Sequence, residues 1–165
     1  MMETLTDGVV RLRPRREGDV ETALAWYRDP HVLKMSEGTG ATPFDRPRVE
    51  RMYAILEDIG ELYMIEVLDG GRWVTVGDVT LARSTLPVVI GEAAFRGRGV
   101  GGRVLDLLIA RARALGWSRL EVKGIHTYNR ASQALFESRG FKPAGSRTDE
   151  SGRTLLRYSL DLARA

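Results

Sequence analysis

The stretch Arg96-Gly97-Arg98-Gly99-Val100-Gly101-Gly102 sets the tightest limit on how this chain can fold. It lies between an apolar run that ends at Phe95 and a run in which Leu105, Leu108, Ile109, Ala112 and Leu115 recur at helical spacing as far as Gly116. A strand, a tight glycine turn and a helix are therefore predicted in succession. Glycine lets a backbone turn sharply and approach a ligand closely. The first amides of a helix have no partners inside it, so with the helix dipole and two nearby arginines they form an anion site. The chemistry implied is pyrophosphate binding, and the plainer alternative is a solvated glycine turn.

The rest of the chain supplies the order of elements. Val9–Arg13 alternates apolar and polar residues and ends at Pro14, as a short strand does. Val20, Leu24 and Tyr27 recur at helical spacing within Glu17–Arg28, and Pro30 stops that helix, leaving a loop at Ser36–Gly40. A second helix is predicted over Arg46–Ile59. Strands follow at Glu61–Leu68, Trp73–Leu81 and Pro87–Phe95, the first two joined through Asp69-Gly70-Gly71, a hairpin signal. After the glycine loop and its helix come a strand at Leu120–Ile125, a helix at Asn129–Arg139, and strands at Phe141–Arg147 and Arg153–Leu160. The order β-α-α-β-β-β-α-β-α-β-β is α+β, built round one mixed central sheet flanked by helices. No repeat or long linker divides residues 1–165, so a single domain is expected.

Composition excludes several classes. The 165 residues are 43% hydrophobic and 28% charged, which is ordinary for a globular chain. There is no cysteine, so disulfides, thiolate metal sites and a cysteine nucleophile are all ruled out. His31 and His126 lie far apart, which leaves no metal-ligand spacing, and no G-x-S-x-G signature occurs. No apolar run is long enough for a membrane span, and Met1-Met2-Glu3-Thr4 does not begin a signal peptide, so a cytoplasmic chain is expected. The net charge is +3. One basic stretch stands out: Arg96, Arg98, Arg103, Arg111 and Arg113 are offset only by Asp106. With the glycines among them, these arginines favour the phosphates of a small cofactor over nucleic acid.

Two patterns compete for the loop. Gly97, Gly99 and Gly102 satisfy G-x-G-x-x-G, with Glu121 placed to act as a ribose-binding acid. A dinucleotide domain needs several βαβ units, however, and here three strands run in succession before the loop. The second pattern, R/Q-x-x-G-x-G/A, is met by Arg96-x-x-Gly99-x-Gly101. It resembles the acetyl-CoA signature of the GNAT acetyltransferases. Asn129-Arg130-Ala131-Ser132-Gln133-Ala134-Leu135-Phe136-Glu137-Ser138-Arg139-Gly140-Phe141 is similar to that family's N-x-x-S-x-x-x-(Y/F)-E-x-x-G-F block, and Pro87–Glu92 resembles its pantetheine-lining strand. Arg11-Leu12-Arg13-Pro14 and Trp26–Val32 look like the RimJ/RimL-type branch.

The resemblance implies the GNAT acyl-CoA N-acyltransferase fold, acetyl-CoA as co-substrate without a metal, and transfer of acetyl to a primary amine by direct attack on the thioester. Backbone groups near Ile90 and Gly91 would pair with the pantetheine amides. Arg96 and the loop Gly97, Arg98, Gly99, Val100, Gly101 and Gly102 would hold the pyrophosphate. Asn129 would bond the pantetheine arm, although asparagine there is also a good helix N-cap. Ser132 would border the arm, and Phe136 would pack beside the thioester or simply in the core.

An alkyl amine is mostly protonated at neutral pH, so a proton acceptor is needed. Glu92, at the strand end, is the first candidate; Asp78, acting through a water, is the second. Many relatives carry a tyrosine at the position of Phe136, and its hydroxyl is missing here. Ser132 and Tyr128 are the nearby groups able to serve the departing thiolate, and that thiolate is itself acidic enough to leave unaided. His126 and Glu121 read as structural. The acceptor, a small-molecule or peptide amine, is not encoded in any motif, though Glu37, Asp45 and Asp149 lie where a cation would approach. A homodimer is compatible with the resemblance. The competing function is a non-catalytic acyl-CoA-binding sensor, to which the missing tyrosine points.

Overall fold

The computed structural model describes residues 2–163; Met1, Arg164 and Ala165, inside the single domain predicted over 1–165, lie outside the described residues. In chain order the elements are β1 (Leu5–Thr6), β2 (Val10–Pro14), α1 (Asp19–Trp26), α2 (Pro30–Ser36), α3 (Arg46–Ile59), β3 (Gly60–Asp69), β4 (Arg72–Ala82) and β5 (Val88–Ile90). A single 3-10 turn at Ala93–Phe95 follows, then α4 (Val100–Ala114), β6 (Arg119–His126), α5 (Arg130–Ser138), β7 (Lys142–Thr148) and β8 (Thr154–Asp161). The α+β order matches the sequence reading apart from two additions, β1 and α2. The residue taken as a stop explains the second: Pro30 occupies the first turn of α2, where its missing N–H costs nothing, and the Asp29 carboxylate caps the amide of His31 at 2.9 Å.

Every strand pairing among the described residues is antiparallel. In place of one continuous mixed sheet there are two antiparallel sheets, ordered β1-β2-β3-β4-β5 and β6-β8-β7. The break falls between β5 and β6. Strand β5 is shorter than the predicted Pro87–Phe95: past Ile90 only the amides of Gly91 and Glu92 still reach β4, both at Val76, before the chain coils into the 3-10 turn.

Packing explains the pattern of apolar residues. On β3, Tyr63 and Ile65 enter one core with α4, Phe136, Leu120 and Val122. Leu62 and Met64, on the opposite face, enter a second core with Trp26, Tyr27, Phe44 and Tyr53 from α1–α3. With both faces covered, β3 reads as a nearly continuous apolar run rather than an alternating one. The β3–β4 hairpin closes through Gly70 and Gly71 at φ 58° and 77°, the left-handed pair that a two-residue turn of this kind demands. Helix α4 buries Val104, Leu105, Leu108, Ile109 and Ala112, while Leu115, counted in the apolar stripe, is exposed at its C-cap. No helix among the described residues is long and apolar enough to cross a membrane.

Candidate functional site

The break between the sheets opens a cleft of about 440 Å³. One wall is the β5 edge (Val88, Val89, Ile90) and the opposite wall is the β6 edge (Val122, Gly124, Ile125), with α5 and α2 closing the sides. On β5, the Pro87 carbonyl accepts from Thr80 and the Gly91 amide donates to Val76, which sets Val89 opposite Asp78 as a bonded pair. By the alternation of antiparallel ladders, the backbone groups of Val88 and Ile90 then face away from β4, toward the cleft. An extended ligand with amide groups can bond that edge as an added strand would.

At one end of the cleft stands the N-terminus of α4. Gly99 is its N-cap at φ 79° and Gly97 has φ 70°, both in the left-handed region that favours glycine. The amides of Val100, Gly101 and Gly102 have no helical partners, by helix geometry, and all three residues line the cleft. Gly101 and Gly102 answer to packing as well. An added Cβ would lie 3.0 Å from Leu135 Cδ2 at Gly101 and 2.5 Å from the Arg139 guanidinium at Gly102, so small residues let α4 and α5 approach closely.

Of the residues expected to hold a cofactor, Ile90, Arg96, Gly97, Gly99, Val100, Gly101, Gly102, Asn129, Ser132 and Phe136 line this cleft. Gly91 and Arg98 are not among its lining residues. Gly91 is buried under the Trp26 ring, and Arg98 lies over Phe95 with its guanidinium carbon 4.7 Å from the ring centroid. The Arg96 guanidinium folds back to donate to the carbonyls of Ile90 (2.9 Å) and Gly91 (3.1 Å), so it braces the loop. Asn129 is an N-cap: Oδ1 accepts from the Ser132 amide at 3.1 Å while Nδ2 donates to the Met35 carbonyl. Phe136 is buried, meets Phe141 edge-on with centroids 5.1 Å apart, and forms part of the cleft wall.

The candidate acid–base residues Glu92, Asp78 and Tyr128 occupy three different settings, and none of the three is among the residues that line the cleft. Glu92 is half-buried just past β5, and its Oε2 accepts from the Trp26 indole N–H at 2.5 Å. A bulge on β4 aids that placement: Val76 is the extra residue, and its carbonyl takes the amides of both Gly91 and Glu92. Asp78 is buried on β4 and accepts from Tyr27 (2.8 Å) and Tyr53 (2.7 Å). Burial pushes its carboxyl up to about 6, and the two phenol donors hold it from rising further. Tyr128 stacks on His126 at 5.1 Å and donates to the Lys34 carbonyl, away from the cleft lining. Burial and the nearby Arg153 hold His126 below its ordinary value. Of the three outer acids, Asp45 caps α3 and Asp149 caps a turn, while Glu37 keeps an exposed edge yet is desolvated enough to sit above the usual carboxylate range.

Sequence reasoning expects a loop from about His31 to Pro47 bordering the acceptor side, and does not foresee that His31, Val32, Met35 and Ser36 form a helical wall of this cleft. The signal was present in Asp29-Pro30, a capping residue followed by a first-turn proline.

Residues 10–142 match the family model described as an acetyltransferase (GNAT) domain. The chain belongs to the GNAT family. No curated protein matches it significantly. Solved structures agree on the GNAT fold. A domain from Methanocaldococcus jannaschii superposes with a TM-score of 0.80 at 19% identity, covering 92% of this chain and 97% of that one. The yncA protein of Salmonella typhimurium, solved with its cofactor acetyl-CoA, gives 0.68 at 21%, covering 96% of each chain. Spermidine N-acetyltransferase from Vibrio cholerae, in complex with CoA and spermine, gives 0.76 at 16%, covering 94% and 97%. In GNAT terms, the split between β5 and β6 is the part of the fold that carries the cleft.

Proposed function

We propose that this GNAT protein transfers acetyl from acetyl-CoA to a primary amine. One observation carries the reading: the cleft joins an unpaired strand edge to an open helix N-terminus. A pantetheine arm has amides for the first and a pyrophosphate has charge for the second, so the residues present suit this co-substrate. The Val88 backbone and the Ile90 amide would bond the arm, the Ile90 carbonyl being held by Arg96, and the amides of Val100, Gly101 and Gly102 would receive the pyrophosphate. Arg96 would hold the strand end in shape, and Phe136 would wall off water beside the thioester. When bound, acetyl-CoA supplies an activated acyl carbon for direct attack by the amine.

Glu92 takes the proton from the amine nitrogen through the carboxylate oxygen that Trp26 leaves open. Asp78 lies one strand further in, and it would exchange protons with the cleft only through Tyr27 or a water. Ser132, half-buried on the cleft wall near the start of α5, is placed to donate to the departing sulfur, with Tyr128 the more distant alternative. A thiol is acidic enough to leave with a hydrogen bond rather than full protonation. The motifs Arg11-Leu12-Arg13-Pro14 and Trp26–Val32 support placement in the RimJ/RimL-like branch. A cytoplasmic enzyme is in keeping with the cofactor.

The test is CoA release from acetyl-CoA across a panel of polyamines, aminoglycosides, amino acids and peptides with free N-termini. Turnover of any of these by the parent, lost in Glu92→Gln, supports the enzyme. Tight acetyl-CoA binding with no turnover of any amine supports the alternative, a non-catalytic acyl-CoA sensor.

A further inference from the structure

The corner between α1 and α2 grips the segment after β5 at three points. The Trp26 indole N–H donates to Glu92 Oε2 at 2.5 Å. The same ring lies on the α-carbon of Gly91, where an added Cβ would be 2.1 Å from Trp26 Cγ. Asp29, three residues further along, approaches the Arg96 guanidinium at 3.5 Å, and that guanidinium holds the carbonyls of Ile90 and Gly91. The backbone at Gly91–Glu92 is also fixed by the Val76 carbonyl, at 2.8 and 3.1 Å. Among the described residues the Trp26 N–H is the only donor to the Glu92 carboxylate.

We propose that Trp26 is a positioning residue for acetyl transfer: its N–H fixes the Glu92 carboxylate so that the other oxygen faces the acceptor amine. The proposal rests on the reading of Glu92 as proton acceptor. A glutamate side chain has three rotatable torsions, and a general base must come within hydrogen-bond reach of the proton it removes. One bond from a donor that cannot move selects a single arrangement. Trp26 is such a donor, because its ring is 2% exposed in the core of α1–α3. This also gives Gly91 a reason that ligand contact does not: any larger residue would push the ring, and with it the donor, away from Glu92.

A ring needed only for packing can be replaced by another ring, whereas an N–H cannot. Trp26→Phe keeps an aromatic ring on Gly91 and removes the donor. CoA release is followed with the fastest amine of the panel, or with water as acceptor where no amine is faster. The expected result is a fall in kcat of about 10- to 100-fold, with KM for acetyl-CoA held within about twofold. Adding Trp26→Phe to Glu92→Gln should cause no further loss, because the two residues act as one unit. Glu92→Asp keeps the carboxylate, draws it back from Trp26 and leaves the core untouched, so it reads the same contact should Trp26→Phe fold poorly. It should lose kcat to a similar degree.

Parental kcat in Trp26→Phe or in Glu92→Asp overturns the proposal, as do equal losses from Trp26→Phe in the parent and in the Glu92→Gln background. If Glu92→Gln itself turns over at the parental rate, the base assignment falls and the positioning role falls with it. That result differs from a slow Glu92→Gln beside a fast Trp26→Phe, which removes Trp26 alone.

Discussion

The Tyr27 hydroxyl donates to Asp78 Oδ2 at 2.8 Å, beside the core that α1–α3 build against β3. Tyr53 of α3 donates to the same oxygen at 2.7 Å. One residue before Tyr27, Trp26 reaches Glu92. Adjacent side chains at the end of α1 therefore hold two carboxylates, one on β4 and one just past β5.

Asp78 should impose a pH dependence on stability. Its carboxyl is raised from an ordinary 3.8 to about 6 by burial, with no cation in salt-bridge contact among the described residues. Between these values the folded state keeps a proton that the unfolded state releases. The stability Asp78 contributes is thus fully present below about pH 4 and is lost as pH rises through about 6. At about 1.4 kcal/mol per unit, the loss is roughly 3 kcal/mol. Asp78→Asn cannot titrate. Denaturant titrations at pH 4 and pH 7 should show the parent losing ground to Asp78→Asn by roughly that amount as pH rises. A constant difference between the two proteins counts against the buried-carboxylate reading.

The ionic cluster on the same, α1-facing side of β3 should be costly to break. Arg13 donates to Asp19 through two nitrogens at 2.9 Å and to Glu66 at 2.8 Å, with all three residues buried. Arg11 adds a second contact to Glu66 at 2.6 Å. Arg13 holds both carboxyls below their ordinary values by hydrogen bonds and charge, working against a desolvation that would raise them. Arg13→Ala leaves buried charge without its partner and should cost about 3–5 kcal/mol. A loss below about 1 kcal/mol, the range of a surface pair, would mean that water reaches the cluster freely.

Ser132→Ala should separate binding from chemistry. The Ser132 amide already satisfies the N-cap with Asn129, so removing the hydroxyl leaves the helix start intact. Acetyl-CoA affinity should hold within about twofold while kcat falls about 10- to 100-fold. An unchanged kcat would show that the thiolate leaves without help from this hydroxyl.

Much of this site was legible in the sequence, for reasons that differ by residue. Gly97 and Gly99 could be read because positive φ selects glycine, and Asn129 because a cap has few substitutes. Helix α3 was predicted with the bounds it has, Arg46–Ile59, since its apolar spacing is regular. Helix α2 was hidden because proline both ends and begins helices, and local pattern alone does not decide which. The β5–β6 split was hidden for a different reason: pairing between strands is a tertiary outcome, and Val88–Ile90 looks like any edge strand. The partners of Glu92 and Asp78 come from residues 66, 51 and 25 positions away, distances no spacing rule covers.

Calorimetric titration with acetyl-CoA, with CoA and NADH as comparison ligands, tests the central claim most directly. A micromolar Kd for acetyl-CoA is expected for the parent, weakened about 10-fold or more when Gly99→Val forces a branched residue into the left-handed region, at about 1–2 kcal/mol of strain. Gly101→Leu should weaken it similarly by wedging α4 from Leu135. No binding of acetyl-CoA, or tighter binding of NADH, would contradict the account and remove the roles given to Glu92 and Ser132.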